Sequence, residues 1–266
     1  MTTTVPHRAP TARLLTPVTA ALRAMPAADD RFGLVPGLLV HDDAGWFPAT
    51  RLVDGSRLRD LFELARCRWR APAPAAAALA WKYYSYWLAL PAVVGWAAAR
   101  RVPLLHPADV LVRIDGRRPR VTLGVRPSVT VAVLPSDRLA SGGAPGARPV
   151  ADERALLATL RGSLLDAHLS PMIQAIRAEV RVGTRTLLGS VSSGIAHGLL
   201  RTGGALPGPP ARHVGTVLAT LGIENLIELV PGPAGEPAVR RRTCCLAFTL
   251  PRPKICAGCC ITPPGA

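Results

Sequence analysis

Apolar residues recur at helical spacing in the first third of the chain, alternate through its middle, and return to helical spacing afterwards. Residues 12–26 are a predicted helix. Ala28-Asp29-Asp30 and Gly33 then mark a break before an extended stretch, Leu34 to Val40. Between Arg57 and Trp69, the residues Leu58, Leu61, Phe62, Leu64 and Ala65 gather on one helical face. The long apolar run Ala75 to Ala99 contains Lys82 and Pro91. A lysine inside a span is costly in lipid and Pro91 splits the run, so it predicts a buried helix pair, Ala75–Leu90 and a second helix starting near Pro91. The aromatic stripe Trp81, Tyr83, Tyr84, Tyr86 and Trp87 suits a core, and it also suits the wall of a ligand pocket.

The period then shifts. Val110, Val112 and Ile114 alternate with other residues, Asp115-Gly116 signals a tight turn, and Val121, Leu123 and Val125 alternate again before Val129, Val131 and Val133. This pattern predicts an antiparallel sheet of about three strands. Ser141 to Pro149 is rich in Gly and Pro and is expected to be a flexible loop or linker. Four helices follow, Asp152–His168, Met172–Val182, Thr186–Leu200 and Ala211–Leu221, separated at Pro171, at Gly183 and by the loop Gly203–Pro210. Pro231 to Pro237 is a turn-rich connector, and Val239 to Leu250 is short, extended or irregular. The expected class is α+β: a mainly helical domain with a small antiparallel sheet in the middle, residues 1–235, and a short C-terminal segment, residues 236–266, that carries the cysteines.

At 266 residues the chain can build a core without cross-links. The net charge is +15, carried almost wholly by arginine, since Lys82 and Lys254 are the only lysines. Coding bias toward Arg, Ala, Gly and Pro accounts for part of that charge. The longest basic stretch is Arg240-Arg241-Arg242 and no aromatic residues interleave with basic ones, which argues against nucleic acid as a partner. An acidic protein, an anionic chelate or the anionic inner face of a membrane remains suited to such a charge. The N-terminal segment Leu14 to Val18 is broken by Pro17, which leaves no clean export signal, so a cytoplasmic location is expected.

Five of the six cysteines lie between positions 244 and 260: Cys244-Cys245, ten residues, Cys256-Ala257-Gly258-Cys259, then Cys260. A disulfide framework spreads its cysteines to close loops, whereas metal sites gather them, and the crowding also fits a reducing compartment. Soft thiolates select zinc or iron–sulfur clusters. Neighbouring residues in extended chain point to opposite sides, so Cys244 and Cys245 serve a single tetrahedral zinc poorly and a two-iron core better. The Cys-x-x-Cys pair is expected to turn its amides toward sulfur, and Pro251 and Pro253 to stiffen the intervening loop. Cys67, alone on its helix, reads as a small buried hydrophobe.

Arg241-Arg242-Thr243-Cys244-Cys245, ten residues, Cys256-x-x-Cys259 resembles the C-terminal motif of the FhuF family of ferric-siderophore reductases. The resemblance is strong over about thirty residues and loose upstream. It implies a [2Fe–2S] cluster on Cys244, Cys245, Cys256 and Cys259, and one-electron reduction of Fe(III) in a ferric siderophore of hydroxamate type, with release of Fe(II). Cys260 is an extra thiol that competes with Cys259 for the fourth position. No other catalytic residue is assigned. Trp81, Tyr84 and Trp87 are candidate contacts for the chelate, and His168 and His197 are candidate polar groups. With no dinucleotide or phosphate-loop motif in the chain, the electron must come from a separate ferredoxin or a flavin- or NAD(P)H-dependent reductase. The competing readings are a zinc-stabilised protein that binds a siderophore or partner, and an iron–sulfur sensor of iron or redox state.

Overall fold

The computed structural model describes residues 10–25, 33–115, 120–233, 235–256 and 258–261. Helix α1 (Pro10–Arg23) leads into strands β1 (Leu34–Leu39) and β2 (Phe47–Pro48), the short α2 (Thr50–Val53), then α3 (Leu58–Trp69) and α4 (Ala73–Ala99). The expected break at Ala28-Asp29-Asp30, the last residue of the predicted first helix and Gly116 of the predicted turn lie outside the described residues. On α3 the buried face is Leu58, Leu61, Phe62 and Ala65. Cys67 points away from it and is exposed, not buried as expected.

Helix α4 is the centre of the molecule, and it is one helix of 27 residues where a helix pair was expected. Pro91 removes one backbone bond from its interior, a cost of about 3 kcal/mol. Burying Leu88, Leu90, Val93 and Val94 on the same stretch returns roughly 1.5–3 kcal/mol each, so packing holds the helix through the proline. Helices α1, α3 and α8 (Thr184–Arg201) surround α4. The approach of α8 depends on its small residues: a Cβ on Gly198 would fall 2.2 Å from Leu90 Cδ2, and one on Gly194 would fall 3.5 Å from the Tyr86 Cα. Among the described residues, no helix is long and apolar enough to cross a membrane.

The middle of the chain supplies β3 (Arg101–Pro103), β4 (Val110–Asp115), β5 (Arg120–Val125), β6 (Val131–Val133), the short α5 (Arg138–Ser141) and β7 (Ala147–Pro149). As the alternation predicts, β4 and β5 are antiparallel, from Val110 opposite Val125 to Asp115 opposite Arg120. The third predicted strand does not join them. A turn closed by Val129 N–H on the Arg126 carbonyl redirects the chain, and β6 pairs instead with β3, antiparallel, and with β7, parallel. The edges of the first sheet are taken by β1, parallel to β5, and β2, antiparallel to β4. The segment 141–149 is therefore more ordered than a linker: Gly143 and Gly146 turn with positive φ, and Ala147–Pro149 completes a sheet.

Helix α6 (Glu153–Arg161) is capped by Asp152, which accepts the Ala155 N–H at 2.7 Å. It continues through a π-helical stretch, Gly162–Leu169, directly into α7 (Ser170–Glu179). The expected break at Pro171 is absent. Pro171 falls in the first turn of α7, where the hydrogen-bond pattern changes from π to α. Within the π stretch His168 is fully buried; its Nδ1–H donates to the Leu105 carbonyl at 2.7 Å and its Nε2 accepts from the Tyr84 hydroxyl at 2.8 Å.

After α8 and α9 (Pro210–Leu221) the chain forms a hairpin of β8 (Ile227–Pro231) and β9 (Pro237–Arg241). The predicted connector is the turn of this hairpin. Val239, Cys245, Ala247 and Leu250 share the core of the helices. The hairpin's exit is seated on α8, where a Cβ on Gly189 would lie 1.8 Å from Thr243 Oγ1.

Candidate functional site

Strand β9 runs straight into the cysteines. Leu246 takes a left-handed φ of 62°, and its N–H donates to Cys244 Sγ at 3.2 Å. Cys245 is buried, with its Sγ 3.8 Å from Cys256 Sγ across the proline-bearing loop. The second half of the motif is fastened to the strand: the Arg241 N–H donates to the Gly258 carbonyl at 2.7 Å, and the Cys259 N–H to the Cys256 carbonyl at 3.0 Å. Gly258 has a φ of +67°, and a Cβ there would lie 1.9 Å from the Val239 carbonyl oxygen, so both conformation and space require glycine. Cys259 is buried and Cys260 exposed. Ala257 lies outside the described residues; the Leu246 and Ala247 amides act on Cys244 and Cys245, and the Cys260 amide on its own sulfur. Among the described residues, no three His, Cys, Asp or Glu side chains converge as a group able to hold a metal ion.

The sulfur pair is electrically uneven. The Cys256 hydrogen bond, helped by the Ala247 N–H and the charges of Lys82 and Arg241, pulls the Cys245 thiol well below its ordinary value although burial opposes this. The same bond, with burial and the neighbouring sulfur charge, pushes Cys256 up. The two thiols are coupled, and the hydrogen bond between them favours the charged form at Cys245 and the protonated form at Cys256. Burial, followed by the charges of Cys244 and Cys259, pushes Cys260 up as well.

The three arginines before the cysteines differ in role. Glu228 on β8 pairs with Arg240 at 2.6 Å and with Arg242 at 3.5 Å, both at the surface. Arg241 is only 3% exposed. Its Nε donates to the Thr243 carbonyl and its Nη2 to Ser190 Oγ, each at 3.2 Å, while Nη1 is buried without a hydrogen-bond partner. No carboxylate lies within ion-pair distance of it among the described residues. Thr243 Oγ1 is likewise buried without a partner. A buried cation left uncompensated costs several kcal/mol. A centre held on four thiolates is an anion, and the orphaned guanidinium nitrogen of Arg241, whose charge reaches Cys245, suits an anion there, although the four thiols do not converge as they stand.

Beside Cys256 a cavity of about 510 Å³ opens between α4 and α8. Lys82, Tyr83, Tyr86 and Trp87 face it from α4, and His197 and Arg201 from α8. Of the candidate chelate contacts and polar groups, Trp87 and His197 reach this cavity, whereas Trp81, Tyr84 and His168 do not. The Trp81 indole donates to the Leu187 carbonyl at 2.9 Å, and Tyr84 and His168 bond to each other in the core. Tyr83 and Tyr86 of the aromatic stripe reach the cavity as well, while Lys82 and Arg201 belong to no motif. The available signal is their spacing: positions 79, 82, 83, 86 and 87 share one face of α4, and 81, 84 and 88 share the buried one.

No family model and no curated protein matches the chain. The likeness to the FhuF family rests on the cysteine spacing.

Proposed function

We propose that the chain is a ferric-siderophore reductase in which Cys244, Cys245, Cys256 and Cys259 hold a [2Fe–2S] cluster. The observation that carries this reading is the buried, carboxylate-free Arg241 beside a hydrogen-bonded sulfur pair, Cys245 and Cys256. When bound, such a cluster supplies one-electron chemistry, turning tightly chelated Fe(III) into weakly chelated Fe(II), with the electron drawn from a separate ferredoxin or flavoprotein.

The chain's own residues have four tasks in this reading. Cys245 and Cys256 supply two of the ligands, and Cys256 is the one that lines the cavity. The Leu246 and Ala247 amides stabilise sulfur charge. Arg241 stabilises the extra negative charge that arrives with the electron. The cavity seats the ferric chelate against Cys256, so the electron crosses from the sulfurs without any bond being made to the protein. The same reading places the reaction in the cytoplasm and allows contact with the inner membrane face.

Stopped-flow mixing of the reduced protein with ferric hydroxamate and ferric phenolate chelates tests it. Reoxidation of the visible chromophore should run in step with Fe(II) capture by a ferrous indicator. A chromophore that stays reduced in every mixture would leave an iron–sulfur sensor in place of an enzyme.

A further inference from the structure

The cavity beside Cys256 has a charge that its neighbouring cysteines do not explain. Lys82 and Arg201 line it together with His197, and among the described residues no carboxylate does. The two cations are close enough to act on the histidine: burial and then the charges of Lys82, Arg241 and Arg201 hold His197 below its ordinary value, which favours its neutral form. The chain has only two lysines, Lys82 and Lys254, and Lys82 stands on this wall. The Lys254 ammonium lies 5.8 Å over the ring of Trp69, which lines both this cavity and the neighbouring groove that Lys254 lines. Coding bias explains arginines scattered over a surface. It does not explain a lysine on this wall.

The remaining wall is aromatic. Trp87 meets Tyr86 edge-on at 4.9 Å and Tyr83 at 6.1 Å, which gives a continuous surface of ring faces and edges. Flat aryl groups stack on such a surface, and negative charge is drawn to the cations around it.

Resting on the reductase reading, we propose that this cavity selects anionic ferric chelates with aryl-oxygen donors, of catecholate or salicylate type, over neutral hydroxamate chelates. Aryl donors of this type are dianions and leave the ferric complex negatively charged. Hydroxamates are monoanions, and a full set of them only neutralises the ferric ion. The cavity's chemistry thus departs from the substrate class that the FhuF resemblance implies.

Gallium(III) has the charge and coordination of Fe(III) but accepts no electron, so its chelates report binding alone. The full-length protein as purified would be titrated with Ga(III) held by a hexadentate tris-catecholate and with Ga(III) held by a hexadentate trihydroxamate, following tryptophan fluorescence and heat. The expected result is tighter binding of the tris-catecholate by about tenfold or more. Lys82→Gln and Arg201→Gln should each weaken the tris-catecholate by about tenfold and the trihydroxamate far less, with Lys82→Arg restoring the wild-type value. Equal or tighter binding of the trihydroxamate, binding of neither chelate, or indifference to both glutamine variants would overturn the proposal. The outcome is separate from that of the reductase reading. A protein that binds the anionic chelate but passes no electron keeps this inference and loses the other, and an active protein that prefers the trihydroxamate does the reverse.

Discussion

The backbone N–H of Arg241 donates to the carbonyl of Gly258 at 2.7 Å, so the strand that buries the guanidinium also holds the turn between Cys256 and Cys259. Gly258 sits against the Val239 carbonyl with no room for a Cβ. In Gly258→Ala the positive φ costs roughly 1–2 kcal/mol and the overlap forces the turn off the strand. Metal affinity should fall by about 10–100-fold while far-ultraviolet circular dichroism stays that of the wild type. Unchanged metal content would show that the turn does not position the ligands.

Arg241→Gln should lower the midpoint potential of the bound centre. One charge at roughly 8 Å in an effective dielectric of about 20 is worth ~2 kcal/mol, or up to about 90 mV for one electron. Arg240→Gln and Arg242→Gln should move it far less, because both side chains are at the surface and share Glu228. A redox titration followed by electron paramagnetic resonance measures all three. Equal shifts would mean that the buried position of Arg241 is immaterial.

Cys259 faces inward and Cys260 outward. Cys260→Ser should therefore keep the visible spectrum and Cys259→Ser should lose it. The reverse pattern would reassign the fourth ligand to Cys260.

His168 gives the fold a pH dependence of its own. Burial holds it down to about 4 from an ordinary 6.5, against the Leu105 carbonyl, which favours the charged ring, and with the help of the His106 charge. As pH falls, the unfolded chain takes up this proton first, so the contribution is complete above about pH 6.5 and lost on the way to about pH 4, on the order of 3 kcal/mol. Urea unfolding across that range should show the loss in the wild type and a flatter profile in His168→Gln. Parallel profiles would assign the acid sensitivity to other groups.

The sequence was readable where short-range pattern decides structure. The alternation around Val112 and Leu123 produced a hairpin in register, and the apolar face of Leu58 to Ala65 produced α3. It misled where packing overrides a local signal: Pro91 is carried through α4 by buried neighbours, and Pro171 by a π-helical stretch. The cysteines announced themselves by crowding. The cavity did not, because Lys82 and Arg201 come from helices far apart in the chain, and the aromatic stripe of α4 splits between core and cavity only when its faces are resolved. Nor does sequence distinguish Arg241 from its two neighbours, since only the Glu228 side of the hairpin makes them different.

The central claim is that Cys244, Cys245, Cys256 and Cys259 hold a two-iron cluster, and metal and labile-sulfide analysis of anaerobically purified protein tests it most directly. The account predicts a red-brown protein with about two irons and about two sulfides per chain. A colourless protein with about one zinc and no sulfide would contradict it.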